Sequence, residues 1–170
     1  MATRSAINPV ILTLDNASAL PKRLRRAADS KTWKKGEFGH VASGAGTITP
    51  NTTTAGAAVD IYVFAEDQLT ATSSTDVWVY KLEKGVKLQM YVTSTATDTA
   101  IGIANLDVGY DVYTKSNVTY LDLGATTGAK FKVEKICDST DTTSPMPERL
   151  AFDAQLTATA PGLCQVVYEG

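Results

Sequence analysis

From Trp33 onward the chain consists of short runs of alternating apolar and polar residues, broken by Gly, Pro, Asn and clusters of Ser and Thr. A period of two is the mark of a strand with one buried face. A first strand is predicted around residues 37–42. Residues 59–65 and 77–82 alternate strictly and read as strands half-buried on one face. Only residues 83–86 separate the second of these from the run 87–92, so a hairpin is expected there. Further strands are predicted at residues 101–105, 111–114, 118–123, 130–137, 150–159 and 163–168. That makes nine to eleven short strands, spaced as in an antiparallel barrel or sandwich. No segment reads as a long helix, and residues 67–74 allow one turn at most. The polar loop 43–58 offers little to bury beyond Ile48 and some alanines, and residues 138–149, with two prolines, read as an exposed excursion. The fold class expected is all-β: a single compact antiparallel β-barrel, β-tulip-like or sandwich domain with an extended N-terminal arm.

The arm comprises residues 1–32 and the body residues 33–170. Val10, Ile11, Leu12 and Leu14 belong to a short apolar segment, 9–14, long enough for one strand or a groove-binding stretch. In residues 20–28, Pro21 suits a first helical position, and Leu20, Leu24 and Ala27 or Ala28 share a face at three- and four-residue spacing. That pattern reads as two helical turns, too short to be stable without a partner. The first 19 residues imitate a secretory leader, but Asn8 and Pro9 interrupt its apolar part.

Charge sharpens this division. The 170 residues carry a net charge of −2, with 16 basic and 18 acidic residues. The first 35 residues hold eight basic and two acidic ones, for +6; the remainder holds eight basic and sixteen acidic ones, for −8. A basic arm seeks anionic surfaces while an acidic body stays solvated. The arm is thus either a solvated linker or a segment that orders on a neighbouring protein. No RNA-binding aromatic motif or helix-turn-helix pattern accompanies it, so specific nucleic-acid binding is not expected.

Chemistry is sparse. One histidine, His40, rules out sites that need two, and two cysteines, Cys137 and Cys164, cannot make a disulfide scaffold or a four-thiolate zinc site. No apolar run approaches the ~18 residues of a membrane-spanning helix. His40 has no companions that define a triad, and the two cysteines read as reduced, structural thiols. Carboxylates are spread singly, and the glycines form no phosphate loop. The triplets at Asn16, Asn51 and Asn117 match the glycosylation pattern, which matters only in a eukaryotic secretory pathway. Tyr62, Trp78, Tyr80, Tyr91, Tyr110, Tyr113 and Tyr120 read as core and cross-strand packing, or else as a sugar-binding face. No enzyme and no cofactor or metal is expected.

The entry Trp33-Lys34-Lys35-Gly36-Glu37-Phe38-Gly39, the central Asn105-Leu106-Asp107-Val108-Gly109-Tyr110, the strand Lys130-Phe131-Lys132-Val133-Glu134 and the closing Cys164-Gln165-Val166-Val167-Tyr168 follow one another in an order that resembles the capsid decoration, or cement, proteins of tailed bacteriophages. The resemblance covers residues 33–170. It implies a non-enzymatic virion protein, made in the host cytoplasm, that binds the outer surface of the mature capsid and stabilises the shell, commonly as a homotrimer. Its partners would be the major capsid protein and itself, with no membrane contact. On that reading Val10, Ile11, Leu12 and Leu14 supply apolar anchoring, while Lys22, Arg23, Arg25, Arg26, Lys31, Lys34 and Lys35 contact acidic capsid surface or a sister protomer. A phage tail or fibre component and a carbohydrate-binding β module are the other classes left open.

Overall fold

The computed structural model describes residues 10–12, 22–27, 30–41, 46–50, 60–69, 75–93, 101–127, 129–138 and 162–170. Among them are eleven strands: β1 (Val10–Leu12), β2 (Lys22–Arg26), β3 (Phe38–Val41), β4 (Ile48–Pro50), β5 (Ile61–Phe64), β6 (Asp76–Lys81), β7 (Lys87–Thr93), β8 (Gly109–Lys115), β9 (Val118–Asp122), β10 (Phe131–Asp138) and β11 (Leu163–Tyr168). The all-β expectation is met. Leu14 and the strand predicted at 150–159 lie outside the described residues, and so does the excursion expected at 138–149 except for Asp138, which ends β10.

The strands form two sheets, and each curls. In the first, neighbours run β1-β7-β11-β10-β8-β9, and β9 then meets β7 again through a short parallel contact, Leu121 with Val92 and Asp122 with Thr93. β7 is the seam. β11 lies along one of its edges, and the other is shared by β1, opposite residues 87–89, and β9, opposite residues 92–93. The second sheet runs β2-β6-β5-β3-β4, antiparallel throughout. Ala27, just past β2, forms a parallel bridge with Ile48 of β4, so the ends of this sheet also approach each other.

Two apolar clusters follow from the curling. The larger lies between the sheets: Phe38, Ile61, Val63 and Leu82 come from the second sheet and its exit, and residues such as Leu88, Met90, Val112, Leu121, Phe131 and Val166 from the first. The smaller sits within the curl of the second sheet and holds Ala27, Trp33, Ile48, Tyr62, Phe64, Val77 and Val79. β5 serves both. Successive strand residues point to opposite faces, so Ile61 and Val63 enter the large cluster, Tyr62 and Phe64 the small one, and all four are buried. The expectation of one half-buried face for residues 59–65 is thereby corrected. Ile48, read as loop, lies on β4 and is fully buried in the small cluster.

Gly39 marks the tightest contact in the small cluster. A Cβ there would stand 2.8 Å from Phe64 Cε2 and 3.0 Å from Ile48 Cγ1. Overpacking of this kind costs about 1–3 kcal/mol. Gly39→Ala is accordingly expected to lower stability by about that amount, read as a lower urea midpoint at unchanged m-value; an unchanged midpoint would contradict the packing described.

Two other expectations are corrected. Residues 83–86 do not close a hairpin: β6 belongs to the second sheet and β7 to the first. Leu82 and Val86 are both buried in the large cluster, so the chain turns a corner between layers. Gly85, at φ 88°, takes the left-handed position of that corner, and its N–H donates to the Tyr168 carbonyl at 2.8 Å. The strand predicted at 101–105 is instead a single 3₁₀ turn, Ile103–Asn105. Asn105 Oδ1 accepts from Gly102 N–H at 2.8 Å, and Asn105 N–H donates to the Gly102 carbonyl at 2.9 Å, which closes the backbone locally.

β10 carries two bulges against β11. The extra residues are Glu134 and Cys137, since Val133 pairs with Val166, Lys135 with Gln165, Ile136 with Cys164 and Asp138 with Leu163. The first bulge restores the phase of the strand, so that Val133 and Ile136, three residues apart, both reach the core. The paired strands bring the two cysteines into adjacent positions, both buried and neither in a disulfide. Burial pushes the Cys164 thiol far above its ordinary range, consistent with a packing role.

Candidate functional site

The segment that joins the basic arm to β3 is held to the body by two buried side chains. Trp33 exchanges backbone hydrogen bonds with Gln68, both 2.9 Å, and its ring stacks on Phe64 at 4.7 Å between centroids. Glu37 is 1% exposed, and its Oε2 accepts from Lys34 N–H at 3.0 Å and from Asn117 Nδ2 at 3.2 Å. Between these anchors the chain turns at Gly36, φ 85°, whose N–H donates to the Phe64 carbonyl. Lys35 N–H donates to Asp67 Oδ1 at 2.6 Å. With Trp33 and Glu37 turned inward, Lys31, Lys34 and Lys35 are left exposed on one pinned segment.

The other predicted site residues are distributed differently. Val10, Ile11 and Leu12 are β1, whose backbone pairs with Gln89, Leu88 and Lys87 of the same molecule. Residues 22–26 are not helical. They form β2, paired with residues 76–80 of β6, and the alternation Lys22, Leu24, Arg26 fits a sheet edge as readily as the helical spacing fitted a helix. A two-turn helix has too few hydrogen bonds to compete with such an edge. Lys22, Arg23 and Arg26 are placed by that pairing. Arg25 is half-buried and turned to its own fold: Nη2 donates to Tyr62 Oη at 2.9 Å, with the guanidinium 5.3 Å from the ring centroid. Tyr62 Oη donates in turn to Asp60 Oδ2 at 3.3 Å, and Lys81 Nζ sits 2.7 Å from Asp60 Oδ1. The Lys81 ammonium is the main reason the Asp60 carboxyl lies below its ordinary range.

Asn117 was not singled out by motif beyond its glycosylation triplet, yet it ties the two sheets together. Ser116 and Asn117, at φ 53° and 60°, make the two-residue left-handed turn of the β8–β9 hairpin. That turn brings Asn117 Nδ2 to the Glu37 carboxylate and, at 3.4 Å, to the Thr32 carbonyl. Next to it Phe38 N–H donates to Thr119 Oγ1 at 3.0 Å, and Thr119 and Thr114 share a hydroxyl contact of 3.2 Å. These groups border a cleft of about 340 Å³ lined by Lys31, Thr32, Glu37, Thr49, Pro50, Thr114, Ser116 and Asn117.

Burial raises the Glu37 pKa above its ordinary 4.5, outweighing the Lys34 and Asn117 hydrogen bonds that lower it. The folded state then binds more protons than the unfolded chain between pH 4.5 and the raised value, so this group's contribution falls as pH rises through that window. Glu37→Gln removes the titration but keeps an acceptor for both donors. It is expected to flatten the decline in stability above pH 4.5 and to leave stability at neutral pH equal to or above that of the parent. Urea unfolding across pH 4 to 8 reads this directly; a variant with the parent's slope would show that Glu37 does not titrate there.

His40 is on β3, where burial lowers its pKa and favours the neutral ring. Asp111 and Asp122, eleven residues apart across the β8–β9 hairpin, are register partners and both buried. Among the described residues no group of three or more His, Cys, Asp or Glu is placed to hold a metal ion, and no helix is long and apolar enough to cross a membrane. Of the aromatic residues, Tyr62, Tyr91 and Tyr110 are buried, while Trp78 is 44% exposed. No family model, no curated protein and no solved structure matches the chain.

Proposed function

We propose that the protein is a structural, non-enzymatic component of a tailed-phage virion that binds the outer surface of the capsid and stabilises the shell, associating with itself as a trimer. The observation that carries this reading is the pinned segment with Lys31, Lys34 and Lys35 exposed, on a chain whose remaining 135 residues carry −8. Lysines held by a rigid backbone lose less freedom on contact than lysines on a free tail. An acidic body next to them disfavours contact anywhere else with an acidic shell, which fixes the docking orientation. The order of strands and short motifs along residues 33–170 supports the same reading by its resemblance to cement proteins. Relative to the arm-only picture, contact moves from Val10–Leu12 and Arg25, which serve the protein's own sheets, to the lysine segment.

The test is co-sedimentation of purified protein with mature capsids assembled without it. Saturable binding that raises the temperature at which the shells release their genome supports the reading. Protein that stays in the supernatant at low salt, or that sediments with tails and not with capsids, contradicts it.

A further inference from the structure

The two cysteines stand on neighbouring strands, and a packing role makes no use of that juxtaposition. We propose that Cys137 and Cys164 are an oxidative modification site, forming an intramolecular disulfide across the β10–β11 pair by exchange with a small-molecule disulfide such as glutathione disulfide. Neither the pairing nor the chemistry depends on the virion reading.

The second bulge of β10 creates the site. Ile136 pairs with Cys164 and Asp138 with Leu163, so Cys137 is the extra residue, and in a bulge two consecutive residues oppose one partner. The burial follows that geometry. On a regular strand the neighbour of a core residue points away from the core, yet Ile136 and Cys137 are both 8% exposed, and Cys164 is 0% exposed. Opposed residues of antiparallel strands have Cα atoms about 4.5–5.5 Å apart, inside the range of about 4.4–6.8 Å that a disulfide spans. The two thiols are also near enough for one to feel the charge of the other: after burial, Cys137 is the second cause that raises the Cys164 pKa.

In the reduced state Cys164 Sγ donates to the Met90 carbonyl on β7 at 3.5 Å, a weak bond that is given up as the side chain turns toward β10. Cys137, the more accessible thiol, opens the exchange. Its thiolate attacks one sulfur of glutathione disulfide, forms a mixed disulfide and releases a glutathione thiolate, which takes up a proton. Cys164 then loses its proton to the buffer and attacks the Cys137 sulfur, expelling the second glutathione. Two electrons and two protons leave the protein, and one glutathione disulfide becomes two thiols. The burial that keeps Cys164 protonated makes the second step the slow one. The product ties β11, which lies between β10 and β7, to β10 and closes the chain from 137 to 164 into a loop, which removes freedom from the unfolded state.

The experiment equilibrates the full chain in glutathione redox buffers of stepped ratio, once in native buffer and once in urea above the unfolding midpoint, with acid trapping and peptide mapping without reductant. Folding is expected to favour the Cys137–Cys164 crosslink, making its equilibrium constant with glutathione at least about tenfold larger in native buffer than in urea. Access to the thiols affects only the rate, so the native series is approached both from reduced protein and from protein crosslinked in urea and refolded. The crosslinked monomer is expected to have lost two hydrogens in mass and to melt at least about 4 °C above the reduced one; dithiothreitol should reverse both changes. Cys137→Ala, which leaves Cys164 in the core, should show neither. The proposal is overturned if the constant is no larger in native buffer than in urea, if the native protein ends as a glutathione adduct or a disulfide-linked dimer, if the crosslinked chain fails to refold, or if Cys137→Ala shows the same rise in melting temperature.

Discussion

Phe38→Ala is expected to lower the free energy of unfolding by about 3–5 kcal/mol, the range for deleting a fully buried aromatic ring. Phe38 brings the second sheet into the large cluster together with Ile61 and Val63: it is 0% exposed and its ring lies 5.5 Å from that of Phe131 on β10. Phe131 in turn lies 5.2 Å from Tyr168 on β11, so three aromatic rings run from one sheet into the other. Tilted pairs of this kind add about 0.5–1.5 kcal/mol each beyond area burial. Truncation at Phe38 removes the first ring of the series and leaves a cavity between layers that can collapse only if a sheet moves. Urea unfolding should show a large drop in midpoint with a single transition. A loss below about 1 kcal/mol, or separate transitions for the two sheets, would show that the layers are not packed through this residue.

The second large effect concerns binding. Reversing Lys31, Lys34 and Lys35 to Glu together is expected to weaken attachment to acidic shell surface at least about tenfold at low salt, with a smaller difference at high salt where charges are screened. The fold should be retained, because all three side chains are exposed and the backbone anchors of the segment are kept, with some loss of stability because Lys34→Glu replaces the ammonium that favours the ionised Glu37 carboxylate by a like charge. Lys35 N–H and Lys34 N–H, which bond Asp67 and Glu37, are backbone groups that the substitution preserves. Shell binding measured against salt, with circular dichroism as the control for folding, reads the effect. Equal binding by parent and triple variant at every salt concentration would remove the lysine segment from the interface.

The strands were legible where one face meets a single core. β6 alternates Val77 and Val79 inward with Asp76 and Trp78 outward, as its pattern predicts. β5 was legible as a strand but not in its burial, since strict alternation was read as one wet face. Its near-continuous apolar run, Ile61 to Ala65, is the signal of two-sided burial. The 83–86 connection was misread because the same four-residue spacing serves a hairpin or a corner, and the choice depends on where Leu82 and Val86 find their core. β2 was misread because five residues, Lys22 to Arg26, satisfy both periods. The cleft was invisible for a different reason. Glu37, Thr49, Thr114 and Asn117 lie in separate strands and turns, and only the register of β3 with β4 and of β8 with β9 brings them together. The Ser116-Asn117 pair between two alternating runs was the one local sign that a tight turn would stand there.

The most direct test of the functional account is electron cryo-microscopy of capsids assembled without the protein, imaged before and after addition of the purified full chain. The account predicts added density on the outer shell, repeated at equivalent lattice positions, with the segment bearing Lys31, Lys34 and Lys35 against the major capsid protein. Capsids that look the same before and after addition, or density confined to the tail, would contradict it.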